Sequence, residues 1–297
     1  MRLRDLIELI TLAMIWGGSF VLMKIAAPEF GVTALVSIRL VLAALCLLPL
    51  LVYKQVIGQV LSNIKPILVV SVFNAVLPYC LLSFATLTFS GGYASIINAT
   101  APLWVALFGM IWLHSSITIS ALMGLVIGFL GVITMVLSNS GNTELAAQML
   151  NTDDFYLALA AGLAATASYG GLTVYAKQKL SHVSSLVTAG GSLAGAAVML
   201  LPVGLYYWPE QQPSTEAWLA VLVLALLCTS FAIVLYFRLI ANIGPSKTIA
   251  VTYLIPVFGM GFGALWLNEV VTMAMLFGCG LILTGVTLAT GLVGPKA

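Results

Sequence analysis

Apolar residues run along this chain in long stretches, interrupted by short polar clusters. A helix crossing a bilayer needs about 20 mostly apolar residues. Ten runs meet that length, at 6–27, 32–53, 66–87, 92–112, 118–138, 154–177, 183–207, 217–240, 246–267 and 271–293. The connections are short, with one exception. Residues 139–153, NSGNTELAAQMLNTD, are polar and acidic and lie midway along the chain. The pattern predicts an all-α integral membrane protein with ten transmembrane helices. It divides into residues 1–138, a linker at 139–153, and residues 154–297.

The two halves repeat each other. At a shift of 153 positions, Gly17 and Gly18 meet Gly170 and Gly171, Lys24 meets Lys177, and Leu47, Leu48 and Pro49 meet Leu200, Leu201 and Pro202. At a shift of 154, Pro102 meets Pro256, Trp112 meets Trp266, Thr118 meets Thr272, and Gly124 and Gly131 meet Gly278 and Gly285. Apolar sequences align readily by chance, but glycines, prolines, lysines and tryptophans in one near-constant register do not. The unit has five spans, an odd number, so the second copy is expected to enter the membrane from the opposite side.

Charge tests that expectation. With the N-terminus inside, the inner segments hold Arg2, Arg4, Lys54, Lys65, Lys177, Lys179, Arg238, Lys247 and Lys296; the outer ones hold only Lys24. Acids collect outside, at Glu29, Glu144, Asp153, Asp154, Glu210, Glu216 and Glu269. Lys/Arg bias sets orientation, so both termini are expected in the cytoplasm. An inverted repeat of this kind is a transporter signature, with the substrate site near the midplane between the repeats.

Composition agrees. Hydrophobic residues make up 62% of the 297 residues, charged ones only 7%, and the mean hydropathy is +1.15. A soluble domain carries about 25% charged residues. A net charge of +2 gives nucleic-acid binding no electrostatic support. Cys46, Cys80, Cys228 and Cys279 all fall in apolar runs without metal-ligand spacing. They read as small buried residues, with no disulfide, metal or cofactor expected. The first apolar run exceeds the usual signal-peptide core and reads as a retained span.

Several stretches resemble the drug/metabolite transporter superfamily, in particular its ten-span EamA family. IWGGSFVLMKIA is similar to the family's first span and SIRLVLAALCLLPL, with its arginine, to the second. SGGYASIINATAPLWVALFGMIWL is similar to the fourth. GPSKTIAVTYLIPVFGMGFGALWLNEVVTMAMLFGCGLILTGVTL is similar to the ninth and tenth, with a Pro in the span and Glu269 after it. The likeness covers nearly the whole chain. The family often has a glutamate after the fourth span too; here that position is Ser115. The resemblance implies export or exchange of small metabolites such as amino acids, in the inner (cytoplasmic) membrane.

Individual residues refine the picture. Glycine in a helix costs about 1 kcal/mol against alanine, so the pairs Gly17-Gly18 and Gly170-Gly171 need a reason. They allow close packing, or they give a flexible point beside the pathway. Pro78, Pro102 and Pro256 sit inside spans and remove a backbone donor, which makes them kinks or hinges. Ser95, Asn98 and Pro102 share one face, as do Thr248, Thr252 and Pro256; both faces are expected to line the pathway. Trp16, Tyr79, Trp104, Tyr169 and Tyr253 lie deeper in their spans than the belt residues Trp112, Trp208, Trp218 and Trp266. With Asn74 and Asn98 they suit an amphiphilic small molecule, aromatic or cationic.

Arg39 is the only basic residue well inside a span, roughly 10 Å from its outer end at about 1.5 Å per residue. Three readings are open: a functional charge, a side chain snorkelling to the interface, or a clamp on helix-end carbonyls. Lys24 and Lys177 read as cations complementing helix C-termini and reaching headgroups. Glu8 reads as helix N-terminal stabilisation. Gly124, Gly128 and Gly131, with Gly278 and Gly285, make small faces that pack the fifth span on the tenth; a weak homodimer through them is the alternative to a monomer.

The expected function is a carrier moving a small organic solute across the bilayer by alternating access. No GxxxxGK[ST] loop is present for ATP. The rivals are a passive channel or membrane-embedded interaction subunit, and an intramembrane enzyme. The last requires a catalytic constellation at depth, whereas His114 and His182 fall in loops and no span holds paired acids.

Overall fold

The computed structural model describes residues 2–113, 119–139 and 152–290. Ser115, His114 and most of the 139–153 linker lie outside the described residues, as does the end of the last expected span. Within them every regular element is helical. The main segments are α1 (Leu3–Phe30), α2 (Val32–Tyr53), α3 (Ile64–Thr88), α4 (Gly91–Asn98 continuing as Ala101–Leu113) and α5 (Ile119–Asn139). The second half holds α6 (Thr152–Lys179), α7 (Ser185–Tyr206), α8 (Thr215–Ile243), α9 (Pro245–Thr248 continuing as Val251–Leu267) and α10 (Met273–Ala289). A short helix, Ile57–Ser62, bridges α2 and α3.

Among the described residues, eight helices are long and apolar enough to cross a membrane, α1 to α8. The spans expected at 246–267 and 271–293 appear as shorter apolar helices, Val251–Leu267 and Met273–Ala289. The first of these is cut by a break. Thr252 and Tyr253 donate backbone N–H to Ile249 and Ala250, three residues back, and such tightened turns interrupt an α-helix. Pro256 lacks the N–H that would bond one turn back. α4 behaves in the same way before Pro102: Thr100 and Leu103 bond to Ile97 and Thr100. In each break a hydroxyl satisfies a carbonyl, Thr100 Oγ1 to Ile97 O and Thr252 Oγ1 to Ile249 O, both at 2.7 Å.

Both third segments of the halves carry a π-helical turn, Ser71–Val76 in α3 and Leu226–Phe231 in α8. A π turn inserts one residue into the α ladder. In α3 it precedes Pro78. The carbonyl of Phe73 is taken up by Ser168 Oγ of α6 at 2.7 Å.

Packing follows a rule of exchange. α1 packs on α8 and α9; α6 packs on α3 and α4; α2 packs on α7, and α5 on α10. Advancing each label by five maps this set onto itself. The glycine pairs seat the contacts. A Cβ on Gly17 would lie 2.6 Å from Phe258 Cβ, and one on Gly170 2.5 Å from Trp104 Cβ. Gly18 faces the Phe262 ring and Gly171 faces Phe108 and Trp112. Both helices run unbroken through their pairs. Close approach is what the glycines provide here. α5 and α10 also meet through glycine: a Cβ on Gly131 would fall 2.8 Å from Gly278 O.

Contacts between connections sort them to two ends. Glu8 pairs with Arg238 at 3.2 Å, and His182 meets Asn63 at 3.3 Å, at the end holding the N-terminus. Glu29 accepts from Ser214 Oγ at 2.8 Å, and Glu269 accepts from Gly91 N at 2.7 Å, at the other end. Large exposed side chains such as Leu45, Leu122, Val126, Leu130, Val198, Leu205 and Phe277 coat the outside, as a lipid-facing surface requires. Cys46 lies on that surface rather than in the interior, whereas Cys228 and Cys279 are buried. In lipid an apolar thiol loses nothing by facing outward.

Candidate functional site

Arg39 projects from the face of α2 that carries Leu35, Val36, Leu40 and Ala43, all buried. It is 5% exposed. Its side chain therefore does not snorkel to an interface, and the acceptors it finds are not helix-end carbonyls. Nε donates to Thr229 Oγ1 at 2.9 Å, and Nη1 approaches Met23 Sδ at 3.7 Å. The guanidinium carbon lies 4.1 Å above the Tyr79 ring, a cation–π distance. The π turn of α8 sets the hydroxyl. Thr229 Oγ1 donates to Leu224 O, five residues back, at 2.8 Å, which leaves its lone pairs for Arg39. Ser230 Oγ reaches Ala43 O at 3.2 Å and ties the same turn to α2.

Among the described residues the ion pairs are those of Glu8 with Arg4 and Arg238. Arg39 thus has no carboxylate partner. Nη2 makes no hydrogen bond to any of the described residues. It is also absent from the sealed polar atoms without a partner, which are Glu8 Oε2, Tyr93 Oη, Trp104 Nε1 and Tyr253 Oη. Nη2 is therefore not fully sealed, although Arg39 as a whole is 5% exposed.

The other expected residues divide. Tyr79 joins Arg39 directly, and Tyr169 of α6 lies within electrostatic reach of both. Trp16 and Tyr169 border one apolar cluster with Met23, Leu81 and Ile38; Trp16 also packs on Tyr236 at 5.4 Å. Trp104 stacks on Phe108 and meets Phe129 edge-on, and Tyr253 packs against a separate cluster with Ile97 and Leu103. Neither is beside Arg39. Asn74 and Asn98 are half-buried, with no hydrogen bond among the described residues. Of the two faces expected to line the pathway, Ser95 departs: it is fully buried against Gly259, at the α4–α9 contact. Thr248 is also fully buried, its hydroxyl on Gly244 O.

Thr229, Met23, Ser83 and Cys228 join the Arg39 centre without having been singled out in the sequence. Adjacent hydroxyls in the apolar run LLCTSFAIV were the available signal.

Side-chain to backbone contacts tie the helix ends together at the end opposite the N-terminus. The Glu269 carboxylate accepts from Gly91 N at 2.7 Å and Gly92 N at 3.2 Å, capping α4 where the helix dipole is positive. Lys24 Nζ donates to Leu87 O at 3.2 Å, so it serves the C-terminal end of α3 rather than headgroups. Lys177, its counterpart, is exposed on the last turn of α6 as expected. The first turn of α4 rests on the α1 backbone at Phe20 and Val21. α1 packs on α2, on the last part of α3 and on the first part of α4, whereas α6 has no packing of comparable extent on α7, α8 or α9. A cavity of about 880 Å³ opens near this same end, lined by Phe89 and Ser90 before α4, Thr134 and Met135 of α5, and Val270 and Thr272 to Phe277 around the start of α10, and none of the expected site residues lines it.

A helical membrane fold built by exchange between its halves, around a buried guanidinium, defines a polytopic protein with an internal polar centre. A model of the EamA-like transporter family matches residues 6–137 and 156–291, and the chain belongs to that family. It is similar to the uncharacterized transporter YoaV of Bacillus subtilis, 25% identical over 96% of each chain. It is similar to YvbV of the same organism, 27% identical over 97% of this chain and 92% of that one. The uncharacterized inner membrane transporter YedA of Escherichia coli is 25% identical over 98% of this chain and 93% of its own. A crystal structure 15% identical covers 100% of both chains with a TM-score of 0.67. That likeness concerns the fold. The chain is thus a membrane transporter of the EamA family, as the resemblance of its motifs implied.

Proposed function

We propose that the protein is a ten-span carrier of a small organic metabolite, an amino acid or similar amphiphile, working by alternating access as an exporter or exchanger. Its two five-helix repeats, 1–138 and 154–297, are inverted, both termini are cytoplasmic, and the membrane is the inner one. The observation that carries this reading is the exchange of contacts: Gly17 on Phe258 in one place, Gly170 on Trp104 in the other. Two copies in such a relation can trade conformations, which opens the centre to each side in turn. The asymmetry of α1 and α6 supports it, since α1 packs on the other segments of its own half while α6 has no packing of comparable extent on α7, α8 or α9. The prolines, with the breaks before Pro102 and Pro256 and the π turn before Pro78, supply the bending points, because those turns already lack regular ladder bonds. The substrate lies between the repeats, against Trp16, Arg39, Asn74, Tyr79, Asn98, Trp104, Tyr169, Thr252 and Tyr253. The family match in two stretches and the transporter names of the relatives favour it over an enzyme, and the inner-membrane name of the Escherichia coli relative favours the location.

Counterflow decides between carrier and channel. Proteoliposomes preloaded with an unlabelled substrate, found first by thermal-shift screening, should take up labelled substrate faster than empty ones. Equal uptake with and without preloading sinks the carrier.

A further inference from the structure

We propose that Arg39, with Thr229 and Tyr79, is an anion subsite that takes the carboxylate of a small organic acid with an apolar or aromatic body. This rests on the carrier reading and names the substrate class of the same site. A buried charge in a membrane protein is costly unless it is paired or serves a ligand. The protein gives Arg39 only neutral acceptors: one hydroxyl, one thioether, which is a weak acceptor, and one ring face. The ring covers a face of the guanidinium, and with Nε taken by Thr229 the Nη1–Nη2 edge keeps in-plane donors for a carboxylate, which a planar fork binds by two parallel bonds. Nη2 has no hydrogen-bond partner among the described residues and is not fully sealed.

The sign of the ligand follows from what is missing. The described acids lie at the two ends of the bundle. Glu8 and Asp5 sit near the N-terminus, and Glu29 and Glu269 are engaged by Ser214 and by the start of α4. None faces Arg39 to receive an ammonium group. A cation entering here meets like charge and no counter-charge, so the site is matched to an anion rather than to the cationic amphiphile that its aromatic lining alone suggests. Tyr79 and Met23 touch the guanidinium, Tyr169 and Cys228 belong to the same apolar cluster as Met23, and together they suit an uncharged body behind the carboxylate.

Three probes with one phenylethyl body test it: 3-phenylpropionate, phenethyl alcohol and phenethylamine, titrated calorimetrically into the purified full chain. The anion should bind at least tenfold more tightly than the alcohol, about 1.4 kcal/mol, and the amine most weakly. Arg39→Gln should erase the anion's advantage and leave the affinity for the alcohol within about twofold. A purely structural tie between α2 and α8 predicts no such change in charge preference. Should Arg39→Gln fail to fold, Arg39→Lys and the wild-type ranking decide. Amine binding as tight as the anion overturns the subsite. So does an unchanged preference in the variant, full displacement of 3-phenylpropionate by equimolar phosphate, or no 3-phenylpropionate binding at millimolar concentrations. Anion-selective binding without counterflow would instead overturn the carrier and leave the subsite standing.

Discussion

Arg39 and Tyr93 show two ways in which a buried polar side chain can stand in this interior. Arg39 is held by Thr229, Met23 and Tyr79 and keeps one nitrogen open. Tyr93 is 8% exposed, and its hydroxyl is sealed with no partner among the described residues. Its ring still packs well, 4.5 Å from Phe89 and 6.4 Å from Phe155. An unsatisfied buried hydroxyl costs about 1–3 kcal/mol. Tyr93→Phe keeps the ring and removes that cost, so the melting temperature of the purified protein should rise. A fall would show that the hydroxyl has a partner in the conformation that melts. The sequence shows Arg39 to be unusual, since it is a lone cation deep in an apolar run. It does not show Thr229 to be its partner, because that pairing spans 190 positions and depends on the π turn.

At the scale of elements, the glycine pairs act by position within the pair. The first glycine of each touches backbone and Cβ atoms of the facing helix, at Ile255 to Gly259 for Gly17 and at Trp104 and Val105 for Gly170. The second faces ring atoms at ordinary distances, 3.4 Å for Gly18 and 3.5 Å for Gly171. Gly17→Ala and Gly170→Ala should each destabilise by about 1–3 kcal/mol, as overpacking does. Gly18→Ala and Gly171→Ala should be neutral or stabilising, because alanine gains about 1 kcal/mol of helix propensity. Thermal melts of the four variants test this, and equal effects at both positions of a pair would refute it. The pairs were legible because they recur. The breaks at Ile97–Thr100 and Ile249–Ala250 were half legible: prolines marked their neighbourhood, but the interrupted turn falls before the proline in each case.

The whole molecule is asymmetric although its sequence nearly repeats. Glu269 caps α4 at the end that the carrier reading takes as closed, while the repeat position of Glu269 is Ser115. A carboxylate at a helix N-terminus contributes about 1 kcal/mol. Glu269→Gln should therefore loosen the closed end and raise the open fraction there roughly fivefold. Cys228, buried one residue before the Thr229 that holds Arg39, is the natural reporter. In a variant with Cys228 as sole cysteine, an impermeant maleimide applied from the Glu269 side should react several-fold faster once Glu269 is Gln. An unchanged rate would mean that apolar packing of α4 on α1 and α10 closes this end without the carboxylate.

The sequence by itself determined the helices, the near-constant offset between halves, the family and the oddity of Arg39, because each of these is written in local composition and spacing. Apolar run length predicts a helix wherever the solvent is lipid. Only the tertiary structure decided which helices touch, where the π turns fall, that Lys24 and Glu269 serve the ends of α3 and α4, and what surrounds Arg39. Those outcomes depend on the fit between elements far apart in the chain. Backbone carbonyls freed by a proline or a π turn find hydroxyl donors that no window of neighbouring residues contains, as Phe73 O finds Ser168 Oγ, and the buried guanidinium of Arg39 finds the Thr229 hydroxyl in the same way.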